Sequence, residues 1–306
     1  MSRPIASVEV PSSSANLGSG FDCFAAALSL KLRAELNEGD EAGILLNAHG
    51  EGVPRPGDAP DDNLLIRAFR EGMHLAAAAG SGAWRLEVSS MIPAARGLGS
   101  SAAAIVAGLL LGASVGRRSP EADELLAAAA RLEGHADNVA AALYGGITLA
   151  VGTGAGVQLR RFHAPEDWIP VVFLPQRESP TAEMRDALPA TLPHGEAAVA
   201  AGRAALLATA VISGDATLLH DAMDDRLHQP YRLPLLPGVA DLIESAYAHG
   251  AAGAALSGAG PSVLAICDSP AAAHSVEKAF NAFDLPGMAM RLRFDPTGAR
   301  LSTASD

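Results

Sequence analysis

The segment IPAARGLGSSAAAIVAGLLL, from Ile92 to Leu111, decides how the rest of the chain is read. A proline stands near its start, two glycines and two serines fall between Gly97 and Ser101, and an alanine-rich apolar run follows. That order reads as a loop feeding a helix. Gly97 and Gly99 lack a Cβ, so the backbone there can take left-handed dihedrals and approach a ligand closely. Ser100 or Ser101 suits the N-cap of the following helix. The first amides of such a helix have no internal partner and lie at the positive end of its dipole, so a phosphate would fit there. Taken alone, the same residues describe a capped helix after a flexible turn, the commoner meaning of a lone Gly-Ser loop.

Composition narrows the classes. At 306 residues the chain has room for two domains and a substantial core, and 49% hydrophobic against 18% charged residues excludes a disordered chain. The net charge of −12 argues against nucleic acid as a partner. An anionic ligand must then be held by helix N-termini, a metal ion or a few arginines, since Lys31 and Lys278 are the only lysines. Cys23 and Cys267 have neither CxxC spacing nor adjacent histidines, so neither a disulfide framework nor a zinc site is expected. MSRPIASVEV lacks a signal-peptide core, and the apolar runs fall short of the roughly 20 residues of a membrane helix. The expectation is a soluble, cytoplasmic protein without a membrane partner.

In chain order, Ile5 to Val10 alternates like a strand and PSSSANLGSGFD, Pro11 to Asp22, reads as a loop; it is either a plain turn or a binding loop offering Asn16 and Asp22. Strands are expected over Leu30 to Leu36, Ile44 to Ala48 and Trp84 to Ser89, with surface loop over Gly52 to Asp62. Asn63 precedes a helical pattern as cap or linker. Ser119 to Glu133 reads as a helix capped by its serine, with a proline at its first position. It ends in EGHADN, where Glu133, His135, Asp137 and Asn138 cluster. A hairpin with GTGAG at its turn follows, then a strand over Val171 to Pro175, helices over Gly195 to Ile212 and from Val239, and a glycine turn, LSGAGPS, between strands. No GxxxxGK[ST] occurs, which excludes a P-loop NTPase.

PAARGLGSSAA (Pro93 to Ala103), LSGAGPS and SSANLGSGFD (Ser13 to Asp22), in their spacing, resemble the GHMP family of small-molecule kinases. SSANLGSGFD and EGHADNVA are similar to the members that act on homoserine. The resemblance implies an α+β fold: a residue 1–160 domain like domain 2 of ribosomal protein S5, and a ferredoxin-like domain over residues 161–306. It implies ATP-dependent phosphorylation of the L-homoserine hydroxyl, a step of threonine biosynthesis. ATP would be held by Asn63 and by Pro93, Ala94, Ala95, Arg96, Gly97, Leu98, Gly99, Ser100 and Ser101, and Mg²⁺ by Ser101 and Glu133. Asn16, Asp22, His135, Asn138, Arg185 and Arg232 would form the homoserine pocket, Asp22 pairing the ammonium and the arginines the carboxylate. Asp137 and Asn138 would be catalytic, Asp137 as proton acceptor. The partners implied are small molecules, with a homodimer as the assembly considered. The alternatives are the same chemistry on another small alcohol, and a non-catalytic ligand-binding regulator on the same scaffold. Ala26, where many members carry glycine, departs from the pattern, and His194 has no assigned role.

Overall fold

A computed structural model describes residues 4–51, 63–78, 82–153 and 156–303. The loop expected over Gly52 to Asp62 and the centre of the GTGAG turn, Gly154 and Ala155, lie outside the described residues. The first half of the chain runs β1 (Ala6–Ala15), β2 (Phe24–Glu38), β3 (Gly43–Gly50), α1 (Leu64–Leu75), β4 (Ala83–Ser90), α2 (Ser100–Ala113), α3 (Ala122–Glu133), α4 (Asp137–Tyr144), β5 (Ile147–Thr153) and β6 (Gly156–Phe162). Next come β7 (Ile169–Pro175), α5 (Thr181–Asp186), α6 (His194–Ser213), α7 (Leu219–Ala222), α8 (Gln229–Arg232) and α9 (Val239–Ala248). The chain closes with β8 (Gly253–Leu256), β9 (Val263–Cys267), α10 (Pro270–Ala282), β10 (Gly287–Arg291) and β11 (Arg300–Thr303).

Two sheets result. The larger has the order β11-β1-β2-β4-β3, with β5 and β6 continuing from β2; the smaller has the order β10-β7-β9-β8. Among the described strands only the β3–β4 pair is parallel. Strand β2 organises the first sheet because it pairs with β1, β4 and β5 along its 15 residues. Its first third, FAAAL, is buried on both faces: Ala26 and Leu28 join the main core while Ala25 and Ala27 meet Ala141 of α4. Its second half alternates between buried and accessible positions, the period of a strand with one wet face. The main core also takes Val172, Leu174, Leu264 and Ile266 from the second sheet, which joins the halves.

Helices α1 and α2 pack closely. A Cβ at Gly112 would stand 2.0 Å from the Phe69 carbonyl oxygen, so no side chain fits where the two backbones meet. The C-terminal segment returns to the first sheet: Asp295 takes the Lys31 ammonium at 2.6 Å and the amides of Thr297 and Gly298, and β11 then pairs with β1.

Several sequence expectations need correction. Pro11 to Ala15 is strand rather than loop, because long-range partners satisfy its serines and a register shift absorbs Pro11. The α2 N-cap is Gly99, not Ser100 or Ser101, and no side chain caps it. Helix α3 begins at Ala122, where Glu121 and Glu124 form a reciprocal capping box, so Ser119 and Pro120 lie outside it. Helix α6 is 20 residues long and, by length and composition, apolar enough to cross a membrane, contrary to the expected shorter runs. Small alanines give it that character, and Leu207, Ala210 and Val211 pack it into the core.

Burial pushes the Asp295 carboxyl up, but Lys31 and the Gly298 and Thr297 amides outweigh it, and the net shift is downward from 3.8. As pH falls, the unfolded chain therefore binds this proton first. The stabilisation is complete well above 3.8 and is lost as pH falls through the folded-state value. Asp295→Asn should lower the urea-unfolding free energy at pH 7 by about 1–3 kcal/mol. The gap from the unaltered protein should narrow below about pH 4; a gap constant with pH would count against this ion pair.

Candidate active site

One cavity of about 590 Å³ lies among β1, the loop before α2, the α3–α4 junction, α5 and the β8–β9 turn. Every residue expected at the site lines it: the whole stretch Pro93 to Ser101, Asn63, Glu133, Asp137, and the six residues assigned to the homoserine pocket.

The Gly-Ser loop is wedged between the two other glycine-bearing motifs. Gly97 has φ 74°, and a Cβ there would stand 2.0 Å from the Ser257 carbonyl oxygen. Gly99 has φ 69°, with its absent Cβ 2.1 Å from Ser13 Oγ. Only glycine combines that handedness with that proximity. Hydrogen bonds hold the contact: Ser13 N–H donates to Leu98 O at 3.1 Å, and the Ser257 hydroxyl donates to Gly97 O at 2.6 Å. Ser179 N–H also donates to Ala95 O at 2.9 Å. The N-terminus of α2 thus faces the cavity with no side-chain cap over it, an arrangement suited to an anion.

At the α3–α4 junction, Ser101 Oγ donates to Glu133 Oε1 at 2.5 Å. Burial raises the Glu133 carboxyl, the Ser101 hydroxyl opposing it. His135 Nδ1 meets Asp137 Oδ1 at 2.5 Å, and the Asn138 amide donates to the same oxygen at 2.7 Å. Burial pulls the His135 imidazole down, yet Asp137 and Glu133 together raise it overall, which favours an imidazolium against the Asp137 carboxylate. Asn138 Oδ1 accepts from Ser13 Oγ at 2.8 Å, tying this cluster to β1.

The opposite wall carries the charges suited to an amino acid. Arg185 grips Asp22 with two bonds, Nη1 to Oδ2 at 3.0 Å and Nη2 to Oδ1 at 2.9 Å. Asp22 and Asn16 both hold left-handed backbone, φ 55° and 73°, and Asn16 Oδ1 accepts from the Asp22 amide. Such strain of about 1–3 kcal/mol per residue persists where surrounding structure enforces it, commonly at ligand sites. Arg232 is 2% exposed and donates to Met184 O, Gly258 O and His228 Nδ1. Burial, then Arg185, lower it to about 10, so it stays a cation at neutral pH. Asn63 caps α1 through Oδ1, taking the Leu65 and Ile66 amides, and its side chain lines the cavity.

Matches to known proteins show the family. Residues 63–146 match the GHMP kinases N terminal domain and residues 206–284 the GHMP kinases C terminal model. The homoserine kinase of Moorella thermoacetica is 40% identical over 262 residues, covering 85% of this chain and 86% of that one. The chain belongs to the GHMP kinase family, among its homoserine kinases. The Streptomyces coelicolor homoserine kinase is 38% identical over 310 residues, covering 98% of this chain and 96% of that protein. The crystal structure of homoserine kinase from Cytophaga hutchinsonii superposes with a TM-score of 0.87 at 25% identity, covering 99% of each chain. The fold mixes helices and sheets and carries the N terminal and C terminal GHMP matches, as the sequence resemblance implied.

Sequence reasoning assigned no role to Ser13, Ser257, Phe21 or His228. The serines lie inside motifs already singled out, and their glycine contacts were not legible there. Phe21 and His228 stack with ring centroids 5.2 Å apart, a pairing 207 positions removed in sequence (228 − 21) and without a local signal. Gly99→Ala should weaken an ATP analogue about tenfold or more by calorimetric titration, because a left-handed alanine costs roughly 1–2 kcal/mol before the Ser13 clash is added. Unchanged affinity would show that the loop does not depend on this contact.

Proposed function

We propose that the protein transfers the γ-phosphoryl group of ATP to the side-chain hydroxyl of L-homoserine, giving O-phospho-L-homoserine, the step that feeds threonine biosynthesis. One observation carries the reading: a phosphate-sized helix N-terminus and a carboxylate–guanidinium pair line the same cavity. A phosphate donor suits the first and an amino-acid zwitterion the second. Homoserine would exchange with the Asp22–Arg185 pair, its ammonium going to Asp22 and its carboxylate to Arg185 and Arg232. Asn16 would orient Asp22, and His135 and Asn138 would border the reacting hydroxyl.

Ser101 and Glu133 fit Mg²⁺, as two hard oxygens at the cavity, one a buried carboxylate. No group of three or more His, Cys, Asp or Glu that could hold a metal occurs among the described residues, so an ion held by these two would need phosphate oxygens and water as its further ligands. When bound, that ion would neutralise phosphate charge. The loop Pro93 to Ser101 would hold the phosphates by its amides and the α2 dipole, and Asn63 would meet the nucleoside. As the hydroxyl oxygen bonds to the γ-phosphorus, the bond to the bridging oxygen breaks and ADP departs. The hydroxyl proton ends on Asp137, whose hydrogen bonds among the described residues use Oδ1 alone. A carboxylate suffices because a loose phosphoryl-transfer transition state asks for little base strength.

The division at residues 160 and 161 is part of this proposal, with β11 returning to the first sheet. So are the small-molecule partners, a homodimer and a cytoplasmic location. A coupled assay for ADP across homoserine, threonine, mevalonate and galactose should show turnover with homoserine. Preference for another alcohol would overturn the substrate, and no turnover with any would overturn the enzyme. Asp137→Asn should lower kcat about 10²-fold or more; near-normal turnover would remove Asp137 as the proton acceptor.

A further inference from the structure

Arg232 is a cation at the cavity wall whose hydrogen-bond acceptors among the described residues are uncharged. Nε donates to Met184 O at 3.1 Å, and Nη1 donates to Gly258 O at 3.2 Å and to His228 Nδ1 at 3.3 Å. A buried arginine is ordinarily matched by a carboxylate. The nearest acid on its own segment is Asp225, whose Oδ1 takes the Leu227 amide and whose Oδ2 takes the His228 and Gln229 amides and lies 3.4 Å from His228 Nε2. Asp22 and Asp225 act on Arg232 through space, without a hydrogen bond to it.

His228 occupies the place where a counter-ion would stand. It is fully buried, and because Arg232 can only donate, Nδ1 must accept. The proton therefore resides on Nε2, which donates to Gly18 O at 3.0 Å in the loop that carries Asp22. Desolvation lowers the imidazole, so it stays neutral. The ring also stacks on Phe21 at an interplanar angle of 23°, and the same Phe21 lies under the Arg232 and Arg185 guanidinium carbons at 5.4 and 5.7 Å. His228 thus touches both walls of the pocket without reaching the reacting atoms.

We propose that His228 is a positioning residue that orients Arg232 through a neutral acceptor, leaving the guanidinium without a directly bonded carboxylate and available to the substrate carboxylate. The inference rests on the functional reading above, in which Arg232 binds that carboxylate. A carboxylate at this position would orient the arginine equally well and compete with the substrate for it. Asn and Asp both present an oxygen where Nδ1 lies, and they differ by one charge.

The test compares His228→Asn with His228→Asp in steady-state kinetics for homoserine and for ATP. His228→Asp is expected to raise KM for homoserine at least about tenfold above that of His228→Asn, as for a substrate charge that must displace a buried internal one. KM for ATP should agree between the two within about twofold, because His228 acts on the acceptor side. A merely structural role would move both constants together. Equal homoserine KM values would overturn the proposal. If His228→Asp does not fold, His228→Gln replaces it: its amide reaches toward Gly18 but leaves Arg232 without the acceptor. Its homoserine KM should then exceed that of His228→Asn, and equality would again overturn the proposal. Absence of homoserine turnover by the unaltered protein would remove the functional reading, and this inference with it, before any variant is compared. An Arg232→Ala variant with unchanged homoserine KM would remove the carboxylate role of Arg232 and likewise end the proposal, while leaving the kinase reading intact.

Discussion

The contact of Gly97 with Ser257 and of Gly99 with Ser13 is the constraint on which the site depends. It brings the loop before α2 against the end of β1 on one side and the β8–β9 turn on the other. Neither approach tolerates a side chain, so the loop has one position relative to both strands. A helix N-terminus held in that way needs little rearrangement when an anion arrives, which is what electrostatic preorganisation requires. The left-handed residues around the cavity, Asn16, Leu17, Asp22 and Ala95, oppose folding, and the continuous core between the two sheets offsets them.

An acidic chain of net charge −12 that handles anions must place its positive potential locally. It does so in three ways. The α2 dipole acts at the candidate phosphate loop, Arg185 is held by Asp22, and Arg232 donates to two carbonyls and an imidazole rather than to a carboxylate. The Asp22–Arg185 pair is about half exposed on the arginine side and less on the aspartate side, so opening it costs little compared with a sealed ion pair. In the proposed reading a zwitterion would replace both halves of that pair at once, whereas an alcohol without charges would leave it closed.

Much of the cavity lining was legible in the sequence because its chemistry is local: glycines and serines at fixed offsets mark the candidate phosphate loop, and EGHADN gathers carboxylate, imidazole and amide within six residues. The remainder depends on partners far along the chain. Pro11 to Ala15 looked like a loop by composition, yet Ser13 finds Asn138 and Ser14 finds Ser257, 125 and 243 positions away. The capping of α3 by Glu121 was masked by a serine and proline in the expected places. His228 carries no local sign, since its meaning comes from Gly18, Phe21 and Arg232 meeting around it. The return of β11 to β1 is likewise set by Lys31 and Asp295 across the whole fold.

A crystal structure with a non-hydrolysable ATP analogue and homoserine measures the central claim most directly. The loop Pro93 to Ser101 should keep its contacts to Ser13 and Ser257 while its amides meet the phosphates, and the Asp22–Arg185 pair should open around the homoserine ammonium and carboxylate. Phosphates bound away from this loop, or homoserine bound with the Asp22–Arg185 pair intact, would contradict the account.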